Sequence, residues 1–460
     1  MASALAEAER ILDPEFLLQL KNGLGGAQTP TLLHIILNRV CGDSELQQQF
    51  RGAAIRLAAV QADVISSIYE ILQKPPEIQN MTIGDVTLPE ELRPVICGIL
   101  QRGPLVSDGE TRYDLQGLGA DEGRRNFIAI LHRDYGFPEE LLLQLSKNTT
   151  LTNGGMRALD TIAEARVLSS LRADKKHRFI SPDSSYPTYL SIIADAARDG
   201  RDSELHQVPT KQCDLLHLSP EGVRDFYRRN PTDRNITEDT WNITPVGNPS
   251  STTISPECLT EVCEAILEGN PKAIIIMDCA YVRTLPRDDS KALMACLFQH
   301  DAIIKQVIFV DSFSKTHGLC RERIGGFFSM NAAILGPIRT IYMKHTAGPG
   351  AYLDRHLEAL VSQTDDETTA IREGLHERWA KKRRDLYNAL VTSGRYADLF
   401  HPDQSHNTQD QLAKPNGLYL FLRLQDGVTV QQVALKTKCF GVPVNLNSGS
   451  YVRFSMGIEA

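Results

Sequence analysis

The sequence predicts an α/β protein with a large domain on a mostly parallel sheet, a smaller α/β C-terminal domain and a helical N-terminal extension. Three observations carry that expectation. From about residue 148 to 330, short β-rich runs alternate with helical runs, the pattern of a mostly parallel sheet covered on both faces. Two apolar runs, 307–310 and 324–330, have the length and composition of buried strands and flank a polar turn. After about residue 415, strand-like runs recur at Gly417-Leu418-Tyr419-Leu420-Phe421-Leu422 and Tyr451-Val452-Arg453-Phe454. At 460 residues the chain is too long for one small core.

In chain order, residues 1–75 read as helical. Apolar residues recur at three- and four-residue spacing through Ile55–Val60 and Val64–Leu72, and Lys74-Pro75-Pro76 stops the run. This extension reads as a packing arm or dimer brace, with a substrate lid as the alternative. Met81-Thr82-Ile83-Gly84-Asp85 reads as a short strand and turn, and a helix is expected from Asp121 to Tyr135. Strands are expected at His177–Ile180, Leu205–Val208, Ala273–Met277 and Val307–Val310. Helices are expected at Gly155–Leu168, Ser219–Arg229 and Ser255–Leu267, the last two opening on serine caps. A long charged helix begins near Gly350. Its basic run Lys381-Lys382-Arg383-Arg384 reads as a solvated face, and 402–416 as a loop. The boundaries expected are 1–75 for the extension, 116–349 for the large domain, and 76–115 with 350–460 for the small one.

Composition narrows the function classes. A 42% hydrophobic and 23% charged content is that of an ordinary globular chain, which argues against disorder. A net charge of −8 disfavours nucleic acid or anionic membrane as the main partner. The nine cysteines include no CxxC pair and read as reduced thiols, so neither a disulfide framework nor a zinc site is expected. No apolar run approaches membrane-spanning length, and residues 1–20 lack the basic start and apolar core of a signal peptide. A cytoplasmic, metal-free protein is expected.

The chemistry concentrates in Asp311-Ser312-Phe313-Ser314-Lys315-Thr316-His317-Gly318-Leu319-Cys320-Arg321-Glu322-Arg323-Ile324-Gly325. Between two strands sit two hydroxyls, one lysine and, eight residues after it, one arginine. Hydroxyls with a guanidinium suit a phosphate, and a lysine amine suits an imine with an aldehyde. One small molecule offers both groups: pyridoxal 5′-phosphate (PLP).

Ser312-Phe313-Ser314-Lys315, Gly318-Leu319 and Arg323-Ile324-Gly325 closely resemble the lysine signature of the class I/II aminotransferases, fold-type I PLP enzymes. The resemblance makes Lys315 the imine-forming lysine, with Ser312, Ser314 and Arg323 on the cofactor phosphate. Further pieces follow the family's order. Gly154-Gly155-Met156 joins a strand to a helix, where free amides bind phosphate; Met156 stands where a hydroxyl residue is common. Tyr186 fits the position that stacks on the cofactor ring. Asn248, in Thr244-Pro245-Val246-Gly247-Asn248-Pro249-Ser250-Ser251, would donate to the ring oxygen O3′, with Ser251 replacing a glycine. Asp278 ends the apolar run of Ile276-Met277-Asp278-Cys279-Ala280-Tyr281. There a carboxylate needs a partner, and the ring nitrogen would provide one. Tyr281 would reach O3′ beside Asn248. Arg453 matches the arginine that grips the substrate α-carboxylate, with Asn248 close to the same substrate. Tyr113 matches a tyrosine that reaches the phosphate of the neighbouring subunit, so a homodimer with shared sites is implied.

These residues imply an enzyme acting at the α-carbon of an amino acid. Lys315 would serve as general base, Asp278 would keep the ring cationic and Tyr281 would assist. The first expectation is an aminotransferase. The same residues also serve β- or γ-eliminating lyases, cyclases and oxidases of the 1-aminocyclopropane-1-carboxylate synthase kind, with S-adenosylmethionine among their substrates. The long N-terminal arm, Met156 and Ser251 depart from housekeeping aminotransferases. A non-catalytic PLP-binding regulator is the weakest reading, because 1–75 shows no basic helix-turn-helix segment and the set of site residues is complete. No second arginine for a distal carboxylate is identifiable.

Overall fold

The computed structural model describes residues 79–81, 86–102, 117–186, 189, 192, 203–233, 237–346, 348–350 and 352–457. The expected N-terminal helices, Tyr113 and most of the 81–85 turn lie outside the described residues. In chain order the strands are β1 (Gln79–Asn80), β2 (Thr149–Asn153), β3 (Lys176–Pro182), β4 (Ser203–Val208), β5 (Thr237–Ile243), β6 (Ile274–Asp278), β7 (Val307–Ser312), β8 (Ile324–Phe328), β9 (Tyr419–Arg423), β10 (Cys439–Phe440), β11 (Val442–Leu446) and β12 (Gly449–Ser455).

Seven of these form one sheet in the order β2-β8-β7-β6-β5-β3-β4. Strand β8 runs antiparallel to both its neighbours; the others are mutually parallel. The α/β class and the mostly parallel sheet are therefore as expected from the strand–helix alternation. The unbroken apolar runs follow from burial on both faces. Ile274, Ile276, Ile308 and Val310 pack into one cluster with helix Gly155–Arg172 and helix Ala332–Thr346. The alternate residues Ile275, Met277, Val307 and Phe309 pack into the other cluster, with helix Asp121–Tyr135 and helix Pro256–Gly269. Each such side chain contributes about 1.5–3 kcal/mol on leaving water, so β6 and β7 give firm support to the loops that leave their carboxyl ends. The caps expected at Ser219 and Ser255 form: each hydroxyl accepts a backbone N–H, from Gly222 and Cys258, at 3.2 Å.

The C-terminal part builds a three-stranded antiparallel sheet, β11-β12-β9, and β1 pairs in parallel with β10. Three expectations need correction here. The long helix from Gly350 is broken: Tyr352–Val361 ends before Gln363, and Thr364 caps a new helix from Asp365. The basic run is not all solvated. Arg383 is 2% exposed and donates to the carbonyls of Gln411 and Lys414 and to Asn416 Oδ1. The 402–416 loop holds a short helix, Gln409–Ala413, whose final carbonyls that arginine satisfies. Among the described residues no helix is long and apolar enough to cross a membrane.

Candidate active site

The parallel arrangement brings one edge of the sheet into use. Strands β2, β6 and β7 end at Asn153, Asp278 and Ser312, and β8, running the other way, begins at Ile324 on that same edge. Gly154, Asp278, Lys315 and Arg323 lie at or next to those ends. Ligands of open α/β sheets bind at the carboxyl ends of strands for this reason.

The turn from β7 to β8 is held from beneath. Buried Arg283 donates to Asp311 Oδ1 at 2.9 Å and to the Ser312 carbonyl at 3.0 Å, and its guanidinium lies 4.1 Å from the Phe313 ring centroid. Tyr135 donates to the other Asp311 oxygen. His376 donates from Nε2 to the Thr316 carbonyl at 2.9 Å, and His317 meets Thr316 through Nδ1 and Gln363 through Nε2. Burial pulls His317 down to about 3, so it is a neutral strut. On this scaffold Lys315 Nζ points to Cys320 Sγ at 3.6 Å, and Cys320 Sγ donates to the Ser314 carbonyl.

The corner after β2 is made by backbone, and it corrects one expectation: the Gly154 N–H is given to the Thr152 carbonyl at 2.7 Å, so the expected pair of glycine amides reduces to that of Gly155. Gly154 has φ +83°, and a β-carbon there would stand 2.7 Å from Arg323 Nη2. Gly155 opens the helix Gly155–Arg172 and lies beside Ser312, whose Cβ would be 3.6 Å from a β-carbon at 155. Arg323 itself has φ +51°, an uncommon conformation for a residue with a side chain, and one found at functional turns. Among the described residues no carboxylate pairs with its guanidinium. Met156, by contrast, packs its side chain into the apolar cluster under the sheet and offers this corner only its amide.

Asp278 is half-buried, yet protein surrounds its carboxylate closely enough that desolvation pushes it up to about 6. The Ala280 N–H, donating to Oδ1 at 3.1 Å, opposes that shift, and the Asp311 charge adds to it. Among the described residues no cation pairs with Asp278. Tyr281, three residues on, is buried and its hydroxyl meets that of Tyr419 at 3.1 Å. Burial, then Tyr419, hold Tyr281 well above the usual phenol range; Tyr186 also contributes, which puts Tyr186 in the same group. Arg453 Nη1 donates to Asn248 Oδ1 at 3.1 Å, and its guanidinium lies 4.3 Å from the Tyr419 ring centroid.

The structure thus links the sequence candidates into two groups: Gly154, Gly155, Ser312 and Arg323, with Ser314 and Lys315 joined to Arg323 through Cys320, and Asn248, Arg453, Tyr281 and Tyr186, with Asp278 three residues before Tyr281 at the end of β6. It also adds residues that sequence reasoning passed over. Tyr419 lies on the same face of β9 as Phe421, which pairs with Arg453 across the ladder. Strand alternation from Arg453 was the signal that could have found it. Cys320 had only its place in the lysine turn to mark it.

A mostly parallel, helix-covered sheet with these residues at one edge defines an open α/β fold. The chain belongs to the family "Aminotransferase class I and II", whose profile matches residues 78–437. Members of that family are PLP-dependent. Among solved structures, an aromatic aminotransferase from Pyrococcus horikoshii is similar at a TM-score of 0.61 and 18% identity, over 86% of this chain and 94% of that one. An aspartate aminotransferase from Rhizobium meliloti is similar at 0.63 and 14%, over 87% and 92%. An aspartate aminotransferase from Thermus thermophilus with maleate is similar at 0.62 and 16%, over 87% and 92%. No curated protein matches the sequence. At these identities the structural likeness speaks to fold.

The donor set fits PLP on its own chemistry. A backbone-lined corner facing an arginine without a carboxylate suits a phosphate. A half-buried carboxylate without a cation suits a protonated ring nitrogen.

Proposed function

We propose that this chain is a PLP-dependent aminotransferase acting at the α-carbon of an amino acid. The observation that carries the reading is the convergence at one sheet edge of the Gly154–Arg323 corner, Lys315 and the cation-free Asp278. When bound, the cofactor supplies an aldehyde carbon that accepts amines and a ring that withdraws electrons from the substrate α-carbon.

The chain's own residues then have distinct tasks. The Gly155 amide, Ser312, Ser314 and Arg323 would hold the phosphate, with Gly154 leaving room for Arg323 beside it. Asp278, ionised, keeps a proton on the ring nitrogen and so maintains the ring's electron demand. Asn248 and Tyr281 donate to the ring oxygen, and Tyr186 covers the ring face. Arg453 grips the α-carboxylate with two parallel donors, which fixes the α-hydrogen toward Lys315. Lys315 would be the residue that anchors the cofactor's aldehyde through Nζ and, once that amine is free, would take the substrate α-proton as general base. Two chains would pair to complete each site, with Tyr113 reaching across.

The test is spectroscopic. Purified protein loaded with PLP is expected to show a visible band that Lys315→Ala abolishes. Adding amino acids one at a time is expected to convert that band to the aminated form with release of the matching keto acid. A product formed without amine transfer would assign elimination or cyclisation instead. No response to any amino acid would end the amino-acid reading.

A further inference from the structure

We infer that Tyr419 is a positioning residue: it links the carboxylate-binding Arg453 to Tyr281 and leaves the Tyr281 proton directed at the cofactor's ring oxygen. The inference rests on the PLP reading above and concerns how this chain sets up that site.

Three contacts carry it. The Tyr419 and Tyr281 hydroxyls are 3.1 Å apart, with ring centroids separated by 6.0 Å at an interplanar angle of 61°. Each hydroxyl has one proton. If Tyr281 spends its proton on the ring oxygen, the bond between the two phenols must be donated by Tyr419. The Tyr419 ring also lies under the Arg453 guanidinium at 4.3 Å, a cation–π distance. A cation against its face draws charge from the ring and makes its hydroxyl the better donor of the pair. Finally, Tyr419 is pinned from behind, because its backbone N–H donates to Ser251 Oγ at 2.9 Å.

Ser251 is the residue that stands where a glycine was expected, and it has φ +49°. Its hydroxyl is therefore more than a tolerated departure: it ties the turn carrying Asn248 to the start of β9. Asn248 in turn accepts from Arg453 at 3.1 Å. Asn248, Ser251, Tyr419 and Arg453 so form a ring of contacts between the large sheet and the C-terminal sheet, and Tyr281 joins it through Tyr419. Tyr419 is the member that touches both the carboxylate-binding arginine and the phenol facing the cofactor.

A donor to the ring oxygen favours the state in which the lysine-linked nitrogen has lost its proton, since negative charge then rests on that oxygen. Removing the Tyr419 hydroxyl weakens Tyr281 as a donor and is expected to raise the pH midpoint of the visible band. The experiment titrates the absorbance of PLP-loaded wild type, Tyr419→Phe and Tyr419→Ala, with acetate as carboxylate probe. Tyr419→Phe keeps the ring under Arg453. Its midpoint is expected to rise by about half a pH unit or more, with acetate affinity unchanged. Tyr419→Ala loses ring and hydroxyl together, and acetate affinity is expected to fall about threefold as well. A Tyr419→Phe midpoint equal to wild type overturns the inference and leaves the PLP reading standing. A wild-type protein with no pH-dependent band overturns both.

Discussion

The Arg323 guanidinium lies against the α-carbon of Gly154, so closely that a β-carbon at 154 would come within 2.7 Å of Nη2 and 2.8 Å of the central carbon. The glycine also holds φ +83°, which side chains rarely adopt. Gly154→Ala meets both obstacles together. The expected result is a loss of PLP affinity of about tenfold or more, because the arginine is pushed off the phosphate position. Cofactor titration by fluorescence checks it. Unchanged affinity would mean that the phosphate sits elsewhere.

Asp278 gives a pH signature. Its folded-state value of about 6 lies above the ordinary 3.8, so the folded chain binds this proton more tightly than the unfolded chain does. The group therefore favours folding most below about pH 4, and that contribution is lost as pH rises to about 6. Cofactor-free Asp278→Asn, which cannot ionise, is expected to be more stable than wild type at pH 8. The gap should shrink through pH 6 and close near pH 4. Full burial would make it about 3 kcal/mol, and partial exposure reduces that to about 1–2 kcal/mol. Thermal melts across pH measure it, and a gap that ignores pH would reject the assignment. With cofactor, the same substitution is expected to slow turnover on the order of a hundredfold or more.

What could be read in the sequence and what could not divide along physical lines. The runs 274–277 and 307–310 were legible as strands because both faces are buried, leaving no polar alternation to obscure them. Strand β5, Thr237–Ile243, was not: it carries Thr237, Asp239, Thr240 and Asn242 as buried polar residues, and its signal is that of a loop. Asp239 is paired there by Arg178 Nε at 2.7 Å, a partner 61 residues distant that no local pattern announces. Arg383 escapes a local reading for the same reason. A burial decided by carbonyls near residue 414 is invisible in a run of four basic residues. Lys315, Asp278 and Gly154 were legible because each adjoins a strand end, where local spacing and tertiary position coincide.

Arg383 itself is open to test. It donates to several carbonyls at the end of the Gln409–Ala413 helix and to Asn416, contacts that need a planar fork. Arg383→Lys keeps the charge, but an ammonium cannot reach these acceptors together, so buried carbonyls are left unsatisfied. A loss of about 2–4 kcal/mol is expected, measured by urea denaturation. Arg384→Lys, at the rim, is the control and is expected to change stability by less than about 0.5 kcal/mol.

Ser251 sets a strained backbone against a useful hydroxyl, and two substitutions separate them. Its φ of +49° disfavours any side chain, and its Oγ accepts the buried Tyr419 N–H at 2.9 Å. Ser251→Gly relieves the backbone by about 1 kcal/mol and removes a hydrogen bond of similar worth. Its stability is expected to match wild type to within about 1 kcal/mol. Ser251→Ala keeps the strain and orphans the Tyr419 amide, so it is expected to be less stable by about 1–3 kcal/mol. The ordering, with glycine above alanine, is the diagnostic result, because propensity at an ordinary position would reverse it. Denaturant melts of the three proteins decide it: alanine equal to or above glycine would show that the left-handed backbone carries no strain, and alanine as stable as serine would show that the hydroxyl plays no part in joining the Asn248 turn to β9.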